Sequence, residues 1–459
     1  MTEFAFLPHQ EDLSRLMSFV SEGECCSIVA LSNMGKSTLL RYACLPAAQQ
    51  HSLGPRVAST AFFYVDCNLM LELSEQGFYE AALRSALAEV KRLGAEQGLV
   101  ERLQNLYHKV VEPSSPFLIP LSFNEAIVVL SEELSRRVVF LFDEFDDPFA
   151  RLDGRIFLNL RALRDEYGKK LCFVTATASE LCDSRQDVEA SEFCEMFTEH
   201  AIFVAGLDYD EACQVIAGLA RTEGVELDRD ETDFVWKQAG GHLGLLQAVT
   251  NVVLRVAAGA PASLRARSLM MARQQLDSES PVRVECAKLW EQLTLTDRDA
   301  LVKVLASGGK LPLDEATQVL VRKGILVSRR APSGEVESPA VFGELFAGYA
   351  RRQHRVQQSV HIGVYVDVDS GDVWVDGKRA PILTDHEYRL LLLLYGRINK
   401  IVTRDDVAEA VWGADYMEDI DDARCDKLLS RLRSKIEPDP ANPKYLQTVR
   451  GRGYKLVGE

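Results

Sequence analysis

Residues Ala30 to Thr38 read ALSNMGKST, which keeps the spacing G-x-x-x-x-G-K-[ST] with Ala30 in the first glycine position. An apolar run precedes it, and a helical pattern opening Ser37, Thr38, Leu39 and Leu40 follows. In that setting the backbone N–H groups from Ala30 through Asn33, Met34 and Gly35, with the positive end of the helix, can surround phosphate oxygens. Lys36 supplies the opposing cation, Ser37 a hydroxyl for Mg²⁺, and Thr38 the next turn of the cradle. A second element about a hundred residues on, VVFLFDEFDD from Val138 to Asp147, is an apolar strand ending in adjacent carboxylates. Paired with a phosphate loop, Asp143 would hold Mg²⁺ through its water shell and Glu144 would orient or deprotonate a water. Without that loop the segment would read as a solvated acidic turn.

Two further residues are candidates for the same site. LCFVTATAS, Leu171 to Ser179, is a buried-strand pattern in which Thr175 or Thr177 could sense a γ-phosphate or simply end the strand. GGHLGLLQ, Gly240 to Gln247, could bring His242 to the nucleotide, the alternative being a capping or packing histidine.

The C-terminus carries a different chemistry. From about Asp422 to Ile436, Cys425, Leu428, Leu429, Leu432 and Ile436 form an apolar stripe, while Arg424, Lys427 and Arg431 recur on the opposite face. Such a helix suits the major groove, where arginine binds guanine O6 and N7 as a fork. Arg433 and Lys435 lie off that face and read as phosphate contacts. Arg450 and Arg452 flank Gly451 in a basic hairpin suited to the minor groove or its phosphates. From Ala423 onward nine basic residues face four acidic ones, a local +5 in a chain whose net charge is −16. That global balance excludes indiscriminate coating of nucleic acid, so any DNA contact must be local.

These residues must be positioned by several domains, because 459 residues exceed one ordinary core. Strands are predicted at Cys25 to Leu31, Thr60 to Cys67, Val138 to Phe142, Leu171 to Thr175 and Ala201 to Val204, alternating with helical patterns as in a parallel sheet. The division predicted is 1–205 for this core, 206–280 for a helical lid, 281–355 for a winged-helix pattern with a turn at Ala331 to Gly334, and 360–459 for the C-terminal domain. A polar stretch from Arg351 to Ser359 reads as a linker, and Ser370, Gly371 and Asp372 as a turn between two strands. Ten scattered cysteines lack zinc spacing and suit a reducing compartment. Neither a signal peptide nor a long apolar span is visible, so a cytoplasmic protein without membrane association is expected.

The loop, the acidic strand and GGHLG together resemble the STAND class of signal-transducing P-loop ATPases, within the AAA+ and ASCE group, over roughly residues 4 to 350. Phe6 to Leu13 lies where that class has its F-V-G-R-E-x-E-L box, with Pro8 and His9 in place of glycine and arginine, and Leu243 replaces the proline of its G-G-H-P motif. The segment from about Val360 to Glu459, ending TVRGRGYKL, resembles the OmpR-type winged-helix effector domain. The resemblances imply an α/β P-loop NTPase with a helical lid, followed by two winged-helix domains (α+β), the first packing on the ATPase. They imply ATP or ADP with Mg²⁺, slow hydrolysis used as a switch, double-stranded DNA as partner, and homo-oligomers formed on ATP binding. Trp412 and Thr448 become DNA-backbone contacts, and the acidic loop Ala414 to Asp422 a surface for RNA polymerase or a signalling protein, or merely a solvated one. The function expected is an ATP-dependent transcriptional regulator; the alternatives are a STAND-type defence sensor and a DNA-associated AAA+ loader.

Overall fold

Five short apolar segments assemble into one parallel sheet: β1 Cys26–Val29, β2 Thr60–Asp66, β3 Arg137–Asp143, β4 Leu171–Thr177 and β5 Ala201–Phe203. The spatial order is β2-β3-β4-β1-β5, so β4 separates the strand that enters the phosphate loop from the strand that ends in Asp143. β1 and β4 are buried along their whole length and β3 at all but Arg137, as strands covered on both faces must be. Phe63, Phe140, Phe142 and Phe173 build the centre of this core. All five lie where the alternation of the sequence predicts them, with no end displaced by more than two residues.

The computed structural model describes residues 8–54, 59–185, 187–257, 264–307, 314–327, 339–358, 363–368, 371–413 and 422–458. Phe6, Leu7, the turn at Ala331 to Gly334, Ser370 and the acidic loop up to Asp421 lie outside the described residues. Two compact units emerge: Met1–Thr222 with Ala239–Gln247 and Glu291–Phe342, and Glu223–Gln238 with Ala248–Trp290 and Gly343–Glu459. Among the described residues no helix is long and apolar enough to cross a membrane.

In the second unit the C-terminal domain has a three-stranded antiparallel sheet, Val364–Asp367, Asp372–Val375 and Lys378–Arg379. Helices Asp385–Tyr395, Arg404–Trp412 and Asp422–Ile436 follow, then a hairpin of Leu446–Val449 and Gly453–Leu456. This is a winged-helix domain, with Leu390, Leu394, Val407, Leu432 and Tyr454 in one core.

The predicted linker is corrected: Glu344–Gln358 is a helix. Gln353 on it is buried and donates to Asp372 Oδ2 (3.3 Å), while Arg379 donates to Asp372 Oδ1 (2.7 Å) and stacks over Tyr349 at 5.2 Å. A buried carboxylate needs such partners. The polar composition that reads as a linker is therefore that of an amphipathic helix docked on the first sheet of the winged helix.

Candidate functional site

Gly35 caps the helix Lys36–Ala43 at φ 109°, a conformation that only glycine adopts without strain. Asn33, exposed, also sits at positive φ (57°), so the loop curls as a phosphate cradle must. Ala30 and Met34 are buried beneath it, and Thr38 is half-buried on the first turn of the helix. The ammonium of Lys36 is buried inside the loop, donating to Ala30 O (2.5 Å) and Leu31 O (3.3 Å). Burial draws its pKa down, opposed by the negative charges of Asp146, Glu144 and Asp143.

The acidic strand end meets this loop. Ser37 Oγ donates to Asp143 Oδ1 across 3.2 Å, and Tyr64 OH donates to Asp143 Oδ2 at 2.6 Å. Burial, then the bond to Asp143, raises the Tyr64 phenol. Glu144 is exposed, at φ 52°, in a left-handed conformation that a non-glycine residue adopts at a cost. Its carboxyl is raised by partial desolvation, opposed by Lys36 and reinforced by Asp143 and Asp146. A raised carboxyl beside a phosphate cradle is suited to taking a proton from water. Among the described residues no three His, Cys, Asp or Glu side chains gather as a metal site. Ser37 and Asp143 nevertheless fit Mg²⁺, which takes one or two protein ligands and completes its shell with phosphate and water.

Thr175 and His242 are placed less simply. Thr175 is fully buried inside β4, its hydroxyl without a hydrogen-bond partner, and it pairs in register with Phe142 rather than Asp143. Because side chains alternate along a strand, it points to the face opposite Asp143, which removes it from the phosphate edge. Thr177 reaches that edge, its carbonyl accepting from Ala30 N–H (3.0 Å), but its hydroxyl donates to Ser179 O (2.7 Å). His242 is buried and its Nδ1 accepts from Leu245 N–H (3.1 Å), leaving Nε2–H to donate to Ser32 O at 3.0 Å. The ring also stacks on Phe342 with centroids 5.9 Å apart. It caps and packs, and holds the loop from behind.

Three residues that the sequence reading passed over belong to this site. Tyr64 is one, through its bond to Asp143. Asp146 accepts from Ala178 N–H at 2.8 Å and fastens the ends of β3 and β4 together. Gln292 grips Ser32 twice, its Oε1 accepting from the backbone N–H (2.8 Å) and its Nε2 donating to the hydroxyl (2.6 Å). The acid run after β3 was a signal for Asp146; nothing local marks Gln292, about 260 residues from the loop.

On the helix Asp422–Ile436 the stripe Cys425, Leu428, Leu429, Leu432 and Ile436 is buried, and Arg424, Lys427 and Arg431 are exposed. Trp412 is half-buried; Arg424 stacks on it at 5.6 Å, and His386 lies 6.0 Å from it. These side chains with Thr384, Lys427 and Arg431 line a concavity of about 390 Å³. Asp426 on the same helix accepts from Tyr454 OH (2.7 Å), with Arg404 3.4 Å away, so its charge is partly answered.

The reading of Arg433 as a phosphate contact is corrected. Its Nε and Nη2 donate to Leu446 O (2.9 and 2.7 Å) and its Nη2 to Thr448 Oγ1 (2.7 Å), which ties the helix to the hairpin. Lys435 is likewise engaged, with Ile382 O (2.8 Å) and Glu387 Oε2 (2.7 Å). Thr448, Arg450 and Arg452 are exposed on the hairpin. Gly453 closes it at φ 126°, where a Cβ would lie 2.1 Å from Val402 O.

Residues 378–456 match the family described as transcriptional regulatory protein, C terminal. The sensory transduction protein RegX3 of Mycolicibacterium smegmatis is 47% identical over 96 residues, which are 21% of this chain and 40% of that protein. The transcriptional regulatory protein YrkP of Bacillus subtilis is 40% identical over 91 residues, 20% of this chain and 38% of that one. The chain thus spans less than half the length of these relatives. Among solved structures, a Walker-type ATPase of Pyrococcus abyssi overlaps with a TM-score of 0.45 at 13% identity, covering 75% of this chain and 96% of that one. The DNA-binding domain of RstA from Klebsiella pneumoniae, in complex with the RstA box, overlaps with a TM-score of 0.19 at 26% identity, covering 21% of this chain and 93% of that one.

The chain therefore carries a parallel five-stranded α/β domain and a C-terminal winged-helix domain. That C-terminal domain is of the OmpR type, found in transcriptional regulators.

Proposed function

We propose that this chain is a DNA-binding transcriptional regulator switched by ATP. The observation that carries the nucleotide half is the approach of Ser37 Oγ to Asp143 Oδ1 at 3.2 Å above a buried Lys36. The loop N–H groups and Lys36 hold the phosphates of ATP or ADP, Ser37 and Asp143 hold Mg²⁺, and Glu144 takes the proton of the attacking water. Bound there, magnesium supplies positive charge against the phosphates. His242 and Gln292 fix the loop at Ser32, so a shift of the loop on nucleotide binding is felt by the segments that carry them.

The DNA half rests on the exposed Arg424, Lys427 and Arg431, with Trp412 and Thr448 reaching the sugar-phosphate backbone and Arg450 and Arg452 the minor groove. The match of residues 378–456 to the transcriptional regulatory C-terminal family, and the likeness to a transcriptional regulatory protein of Bacillus subtilis, support that reading. The loader and defence-sensor readings gain no observation of their own. Calorimetric titration of the full chain with ATP, together with selection from a random duplex library, tests both halves. Saturable ATP binding and an enriched duplex are expected; failure of either removes that half.

A further inference from the structure

His9 stands at the entrance of the first helix, Gln10–Glu22, in a left-handed conformation (φ 61°) and only 7% exposed. Its imidazole lies against the phosphate loop: a Cβ built on Gly35 would come within 2.7 Å of Nε2 and 3.0 Å of Cδ2. Gly35 is thus constrained twice, by its own φ and by the ring upon it. The ring is held in place. Its Nδ1 faces Asp12 Oδ2 at 3.7 Å, and the backbone N–H of His9 donates to Glu211 Oε1 at 3.0 Å. Nε2, by contrast, is buried and has no hydrogen-bond partner.

An orphaned buried ring nitrogen destabilises the fold unless something completes it. What lies around it indicates what that is. On one side is the start of the helix Lys36–Ala43, with its backbone N–H groups and Lys36. On the other, His9 forms part of the wall of a cavity of about 1040 Å³, together with His51, Phe203, Ala205, Asp208 and Glu211. A ligand whose ring occupies the cavity and whose anionic chain enters the loop must pass His9.

We propose that His9 is a phosphate-binding residue, its Nε2–H donating to the phosphate chain of a bound nucleoside di- or triphosphate where the chain leaves the cavity for the loop. This rests on the nucleotide reading above. The imidazole is short and lies between Asp12 and the loop, so it is preorganised to meet an oxygen near Gly35 and no further out.

The test is ADP affinity of the full chain, measured by calorimetry for the wild type, His9→Ala, His9→Gln and Lys36→Ala. His9→Ala should bind ADP about tenfold or more weakly, the loss of one charge-assisted hydrogen bond. His9→Gln, which can present an N–H from a similar place, should recover most of it. Nitrogen NMR of the wild type provides a readout independent of any variant's folding: the His9 Nε2 resonance should move to that of a hydrogen-bonded N–H on ADP saturation. A wild type that binds ADP, a Lys36→Ala that does not, and a His9→Ala within twofold of wild type would overturn the His9 role alone. So would an unmoved Nε2 resonance. A wild type that binds no ADP would overturn the nucleotide reading with it.

Discussion

Ser37 and Asp143 stand 106 residues apart in the chain and 3.2 Å apart in space. The first opens the helix after the loop and the second closes β3, two strands away in the sheet, yet their oxygens converge where a hard cation would take both. Asp143→Asn should therefore keep the fold while weakening the magnesium-dependent part of ATP binding about tenfold or more, since one ion ligand is lost. Titrations with Mg²⁺ and with chelator measure that difference. Equal Mg²⁺ dependence in the variant and the wild type would count against the metal role.

Glu144→Gln should bind ATP as the wild type does and lower the hydrolysis rate by about 10²–10⁴, the usual contribution of a positioned base. Single-turnover phosphate release reads this. An unchanged rate would leave the loop as a binding site and remove the base.

Arg431 and Arg433 should behave oppositely, two residues apart on one helix. Arg433→Ala removes three bonds to the hairpin and should lower stability by about 1.5–3 kcal/mol, seen as a fall in Tm. Arg431→Ala should leave Tm unchanged and relax discrimination at one base pair by about 1–3 kcal/mol. Loss of base preference in the Arg433 variant at full stability would reverse the assignment.

Arg450→Ala should weaken binding evenly across duplex sequences and reduce the slope of log K against log salt by about one. A change of preferred sequence instead would make the hairpin a base reader.

Asp376 lies beside the hairpin's base, where a bond from Tyr445 OH (2.5 Å) and one from Gly363 N–H (2.9 Å) hold its carboxyl below the ordinary 3.8. A depressed folded-state pKa contributes stability that is complete above the unfolded value and is lost as pH falls through the folded one. Melting of Asp376→Asn should accordingly lose stability relative to the wild type at neutral pH, with the gap narrowing as pH falls below about 4. A gap that widens on acidification would contradict the assignment.

What the sequence made legible was whatever a local pattern encodes. The five strands, the Lys36 loop and the buried stripe of the helix Asp422–Ile436 follow from periodicity and glycine placement alone. Partners made by tertiary approach were not. The helical wheel separates Arg433 from Arg431 but cannot say that the Leu446 carbonyl waits for it. Gln292 and Tyr64 read as ordinary polar residues until folding brings them to Ser32 and Asp143. The Arg351 to Ser359 stretch misled because it is the polar end of a helix whose apolar anchors, Leu345, Phe346, Tyr349 and Ala350, precede it, with Gln353 continuing their buried side. Thr175 misled because being near a strand end does not fix the face on which a side chain lies.

In the function proposed above, nucleotide state governs DNA binding. A single winged helix offers few base contacts, so a useful margin over competing sites calls for two copies together, and association on ATP would make the second contact intramolecular, with avidity gains of roughly 10²–10⁴. ATP can drive this only through unequal affinity for the free and associated states. The direct measurement is a titration of the full chain on one-site and two-site duplexes with ATP, ADP or no nucleotide, the particle mass being followed alongside. ATP should raise both the mass and the affinity for the two-site duplex, and Lys36→Ala should respond to neither nucleotide. Equal mass and equal affinity under all three conditions, unchanged when cell extract is added to supply an inducer, would contradict the switch and leave the nucleotide a structural ligand.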